Sequence, residues 1–152
     1  FTPIGNVITP HFTLAEFIRS DTAARLHINN TPTPDHLQNL QRLALALEEV
    51  RALLGKPLLI TSGYRSLELN RAIDGSSTSS HSQGLAADFH CPRFGSDMEV
   101  CEAIAASGIQ FDQVIFEQAR STWVHFGIGE KMRRQVLSWR SGKGYQNGIV
   151  KI

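Results

Sequence analysis

A chain of 152 residues, 41% hydrophobic and 19% charged, suits one globular domain able to bury a core without staples. The formal net charge of +1, with basic residues scattered along the chain, gives no footing for a nucleic-acid partner. Two cysteines are too few for a disulfide scaffold, and no apolar run approaches the ~20 residues of a bilayer span.

The opening Phe1-Thr-Pro-Ile-Gly5 lacks the basic and apolar regions of a signal peptide, and it has no initiator Met. Location therefore stays open at this level. Thr13-Leu-Ala-Glu16 is a capping box that predicts a short helix to about Ser20. A polar loop follows from Asn29 to Pro34. Thr33 then caps a long helix with Pro34 at its first position. Leu37, Leu40, Leu43, Leu47, Val50 and Leu54 give that helix one apolar face, and Gly55 and Pro57 end it.

Leu58 to Thr61 is a short buried-strand candidate, Ser66 to Ile73 a short helix, and Gly75 to Ser80 a polar loop. Leu85 to His90 reads as a strand. Ser96 and Glu99 form a second capping box, opening a helix to Ser107. Phe111 to Glu117 and Trp123 to Ile128 alternate around a short turn, as in a β-hairpin. A last strand runs from Gln135 to Trp139, inside a basic stretch from Lys131 to Arg140 that reads as ordinary surface. Cys101 lies in an apolar helical pattern, which leaves a buried free thiol and a Cys91–Cys101 bridge both open. Helices first and strands later predict an α+β fold with an antiparallel sheet, helices packed on one side, as one domain over residues 1–152.

The chemistry concentrates in Ser79-Ser-His81-Ser-Gln-Gly84-Leu-Ala-Ala-Asp88. Gly84 allows a turn that brings a loop imidazole and a strand carboxylate together. Asp88 stands in an apolar strand, where a carboxylate is costly unless paired or metal-bound. His125 lies in a second apolar strand, Trp123-Val-His-Phe126. Two imidazoles and a carboxylate, with a fourth position for water, suit catalytic zinc. A strand His is also often a satisfied core residue and a strand Asp a salt-bridge partner, so spacing leaves both readings standing.

The ordered set Ser79-x-His81-x-x-Gly84-x-Ala86-x-Asp88, then Trp123-Val-His125, resembles the zinc D-Ala-D-Ala carboxypeptidase family, the M15 group. Ser62-Gly-Tyr-Arg65-Ser, Asn70 and Phe111-Asp-Gln-Val-Ile-Phe-Glu117 match it too, so the likeness runs from Phe12 to Phe126. The resemblance implies an α+β fold shared with the hedgehog signalling domain. It implies one zinc ion on His81, Asp88 and His125, and hydrolysis of peptidoglycan stem peptides, by a carboxypeptidase or an endopeptidase such as a cell-wall lysin.

Many members of the wider group carry an acid three residues before the last His; here Thr122 stands there. The resemblance then places the general base at Glu117. If the hairpin pairs residues whose numbers sum to 240, Glu117 faces Trp123 and shares a sheet face with His125; a slip of one residue turns it away. Arg65 takes the role of oxyanion or carboxylate partner, against the ordinary alternative of a turn-anchoring ion pair. Ser79, Gln83, Tyr64 and Trp123 are candidate substrate contacts. Asp112 and Gln113 are expected to hold the hairpin or a ligand imidazole. His90 reads as a strand residue, and His11, His27 and His36 as surface. The expected partner is cell-wall peptide as substrate, and the protein is expected to be a monomer without a membrane span. A zinc-bearing module that binds without cutting and a virion or assembly domain are the rival functions. A serine hydrolase lacks its G-x-S-x-G elbow, and for a cysteine hydrolase Cys91 and Cys101 lack a recognisable His partner in the sequence.

Overall fold

In the computed structural model, residues 7–152 are described; the stretch Phe1 to Gly5 lies outside them. The first helix, α1 (Leu14–Ile18), forms where its capping box directs. Thr13 Oγ1 accepts from the Glu16 N–H, and the Glu16 carboxylate accepts from the Thr13 N–H. It stops earlier than expected because Ser20 caps a separate helix, α2 (Asp21–Leu26). That helix buries Ala23 alone, so it leaves no periodic signature in the sequence. The long helix α3 (Pro34–Leu54) starts at Thr33 with Pro34 in its first turn, and Gly55 closes it in the left-handed conformation at φ 68°. A two-stranded ribbon of β1 (Val7–Thr9) and β2 (Phe12–Thr13), not foreseen in the sequence, sits beside α3.

The remaining elements are β3 (Leu59–Ser62), α4 (Leu67–Ala72), a 3₁₀ turn (Ser80–Gln83), β4 (Ala86–His90), α5 (Asp97–Ala105), β5 (Gln113–Gln118), β6 (Thr122–Gly127), β7 (Gln135–Arg140) and β8 (Gly144–Asn147). The last six strands in the sense of position form one sheet, in the order β3-β4-β6-β5-β7-β8. The fold is α+β, and every pairing in the sheet is antiparallel except β5 with β7, which is parallel. The exception arises because the chain leaves β6 and returns on the far side of β5.

Two expectations change here. The strand after α3 is an edge strand rather than a buried one, with Leu59 54% exposed. The basic stretch ending at Arg140 is only partly surface, since β7 lies between two strands and Ser138 is fully buried.

One face of the sheet is apolar. Ala87, Phe89, Val114, Phe116, Val124 and Phe126 alternate along β4, β5 and β6 and join the core with α3 and α5. Burying a Leu or Phe fully stabilises by roughly 1.5–3 kcal/mol, so this face dominates the driving force. Cys91 and Cys101 are buried in the same core as free thiols. No helix among the described residues is long and apolar enough to cross a membrane.

Candidate metal centre

The other sheet face carries the residues that alternate with the core set. Asp88 and His125 are direct cross-strand partners between β4 and β6, so register alone brings a carboxylate beside an imidazole. His81 arrives from the 3₁₀ turn. The Ser79 hydroxyl accepts from the His81 N–H at 3.2 Å, and Gly84 closes the turn at φ +76°. A Cβ on Gly84 would lie 2.8 Å from the His36 carbonyl oxygen, so both conformation and space require glycine there.

These three side chains converge. His81 Nε2 lies 3.3 Å and His125 Nδ1 3.2 Å from Asp88 Oδ1. The ligating atoms all fall within 4.8 Å of one another. The two imidazoles are 3% and 8% exposed. His81 Nδ1 donates to the Gly63 carbonyl at 2.8 Å, which leaves the Nε2 lone pair facing Asp88. Gly63 itself is packed against α1, where a Cβ would stand 2.5 Å from the Phe17 carbonyl oxygen, so the position needs glycine.

The electrostatics suit a cation. Burial works to raise the Asp88 carboxyl, but the facing imidazoles hold it far below the usual carboxylate range. Burial also disfavours charge on His125, yet the Asp88 carboxylate outweighs it and lifts the imidazole above its ordinary value. Positive charge among these three donors is thus favourable even though they are buried. Tetrahedral donors about 2.0–2.1 Å from a zinc ion stand about 3.3–3.4 Å apart, close to the Asp88 separations. Donor chemistry and spacing therefore fit a metal ion.

The centre opens into a cleft of about 450 Å³ that Arg65, Glu117 and Trp123 also line. The hairpin has the register on which the Glu117 assignment depends, Glu117 against Trp123 and Ile115 against His125, so Glu117 shares the His125 face. Burial raises the Glu117 carboxyl above the ordinary range, with His125 and Arg65 opposing and Asp88 reinforcing. The Trp123 indole N–H lies near enough to favour the Glu117 charge, although it is buried without a well-formed hydrogen bond. Burial pulls the Arg65 guanidinium below its usual value, against Asp88 and Glu117, which favour its charge. Arg65 Nη2 donates to Ser79 Oγ at 3.0 Å, while its Nε is buried without a partner among the described residues. Ser79 thus ties the metal turn to Arg65, and both line the cleft.

Other sequence candidates fall elsewhere. Tyr64 is 5% exposed, packs against the His36 ring at 5.0 Å and borders a neighbouring cleft instead. Gln83 is exposed outside the cleft, and its carbonyl accepts from Asn39 Nδ2 at 2.8 Å. Asp112 and Gln113 bind Arg133 and Gln135, at 2.7 and 2.8 Å, rather than a ligand imidazole. His36 is half-buried rather than a surface residue. His90 reaches Asp97 at 2.8 Å, and Thr122 donates to the other oxygen of Asp97 at 2.5 Å, so Thr122 has a structural partner. Sequence reasoning gave no role to Gly63 as the acceptor that orients His81, or to Tyr145, which lines the cleft from β8. A Gly at a strand end beside the motif was the available signal for the first; the second had none.

Comparison with curated proteins gives no match. The family model described as Peptidase M15 matches residues 10–127, a span that contains all three metal-ligand candidates, Arg65 and Glu117.

Proposed function

The chain belongs to the Peptidase M15 family, and from that premise we propose that it is a zinc metallopeptidase that hydrolyses amide bonds in peptidoglycan stem peptides, as a single domain over residues 1–152. The observation that supports this most is the convergence of His81, Asp88 and His125 in one cleft with Glu117. His81 would hold the ion through Nε2, His125 through Nδ1 and Asp88 through its carboxylate. When bound, zinc supplies Lewis acidity that brings a water pKa to about 7 and polarises a carbonyl.

The chain's own groups do the rest. Glu117 takes a proton from the attacking water, and the oxygen adds to the scissile carbonyl carbon. Its raised carboxyl pKa makes it a stronger base than a solvent-exposed glutamate. Arg65 faces the oxygen that gains negative charge, and its desolvated guanidinium strengthens that interaction. Glu117 then returns the proton to the departing amine nitrogen as the C–N bond breaks. Water and amide thereby become carboxylic acid and amine, with no other reactant. Ser79 and Trp123 are the proposed substrate contacts, since both line the cleft. Tyr64 and Gln83 stand outside it and are given no part.

Incubation of the zinc-loaded protein with purified peptidoglycan, followed by mass spectrometry, tests the reading. Release of peptides with new termini at one bond type is expected. Intact peptidoglycan at high protein load would favour a module that binds without cutting.

A further inference from the structure

We propose that β6, β7 and β8 carry a sugar-binding subsite beside the metal cleft, which takes the pyranose ring of the glycan attached to the stem peptide. This rests on the substrate assigned above. The subsite follows from register. Trp123 faces Glu117 across β5–β6, Glu117 faces Trp139 across β5–β7, and Trp139 faces Tyr145 across β7–β8. Paired residues point to one side of a sheet, so the four form one row on the metal face. The Trp123 and Trp139 rings are 6.5 Å apart, tilted by 52°. Tyr145 is 62% exposed and lines the cleft with Glu117.

An exposed aromatic on a strand row that leads into a cleft is a surface in search of an apolar ligand face with polar edges. A pyranose ring has that form: its C–H face stacks on an aromatic ring while its hydroxyls remain solvated or meet polar neighbours. Ser76, Thr78 and Arg133, which line the cleft together with Tyr145, supply such neighbours. The chain end does not cover the row, because it is tied to Ser138 and Gln118, whose side chains point to the other sheet face. Trp139 and Tyr145 also lie beyond residues 10–127, so half of the row lies outside the span matched by the family model.

The placement narrows the substrate. Strands are about 4.8 Å apart, so Trp139 and Tyr145 lie about 5 and 10 Å from Glu117 by backbone. An extended peptide advances about 3.3–3.6 Å per residue, so a sugar on this row sits within about three residues of the bond cut. The geometry points to cleavage in the glycan-proximal part of the stem peptide.

The chain's two tryptophans both lie in the row, so intrinsic fluorescence reports on it directly. Titration of the zinc-loaded protein with an N-acetylglucosamine tetramer is expected to give a saturable change, about tenfold weaker in affinity for Tyr145→Ala and retained by Tyr145→Phe. In parallel, a glycan-linked stem peptide is expected to exceed its sugar-free counterpart about tenfold in kcat/KM, with Tyr145→Ala narrowing that gap. A fluorescence response with no cleavage of either peptide supports the subsite and refutes the peptidase reading. Cleavage with no fluorescence response and no preference overturns the subsite alone. A preference undiminished in Tyr145→Ala, or equal losses on both peptides, also overturns it.

Discussion

The two faces of the central sheet are built from alternate residues of the same strands and do opposite work. On β4, Ala87 and Phe89 enter the core while Asp88 between them enters the metal cleft. On β6, Val124 and Phe126 flank His125 in the same way, and on β5 Phe116 precedes Glu117. The apolar face needs only volume and hydrophobicity, and many side chains share the load. The site face needs particular atoms at particular separations, and each of its groups stands almost alone. Packing the first face against α3 and α5 fixes the register that the second face uses.

The largest expected effect comes from breaking the site face without touching the core. Asp88→Ala, or chelation of the wild type, should lower stem-peptide hydrolysis by about a thousandfold or more, since several kcal/mol of transition-state stabilisation depend on the ion. Metal content by mass spectrometry and fragment release check this together; a variant that keeps both would end the assignment of Asp88. The converse change is Leu47→Ala on α3, whose side chain is fully buried in the core. It should cost about 2–5 kcal/mol in chemical denaturation. The folded fraction should still bind metal, and loss of the metal site in the folded protein would show that the faces are not separable.

Smaller effects sharpen the comparison. Ser79→Ala removes the acceptor for the His81 N–H and for Arg65. Zinc affinity and kcat/KM should each fall about tenfold, the lower end for groups that orient metal ligands. Unchanged values in a competitive zinc titration would mean that the sheet alone positions the turn. The smallest effect is on stability. Hydrogen bonds from Arg133 hold the Asp112 carboxyl below its usual range. A depressed folded value means that the pair's contribution is present above the ordinary carboxylate pKa and fades as pH falls through the folded value. Wild type should therefore exceed Asp112→Asn in Tm by a small margin at neutral pH, and the margin should vanish in acid. A margin that persists in acid would assign it to packing instead.

Much of this was legible in the sequence because it is local. Thr13 and Ser96 each announce a helix start through a Glu three residues on, Thr33 through the Pro that follows it, and all three caps form. The hairpin was also legible, since its two arms alternate around a short turn; its register entered only as the condition on Glu117, and the pairing of Glu117 with Trp123 meets it. The parallel β5–β7 pair was not: periodicity gives the faces of a strand, while its neighbours are chosen by packing across the whole sheet. The same limit applies within the site. The motif named His81 and Asp88, whose convergence follows from a turn and a strand. It also suggested Gln83 and Tyr64 by proximity, and proximity does not fix where a side chain points. In the 3₁₀ turn His81 is buried while Gln83 is exposed. Gly63 escaped notice as a functional residue because it acts through its backbone carbonyl.

The central claim separates holding the metal from moving the proton, and Glu117→Gln addresses both in one protein. Paired determination of bound zinc and of peptide release from purified peptidoglycan should find about one zinc per chain, as in wild type, with hydrolysis reduced about 10²- to 10⁴-fold. Wild-type hydrolysis in that variant would contradict the assignment of Glu117 as the base, and loss of the zinc would place Glu117 among the groups that hold the metal.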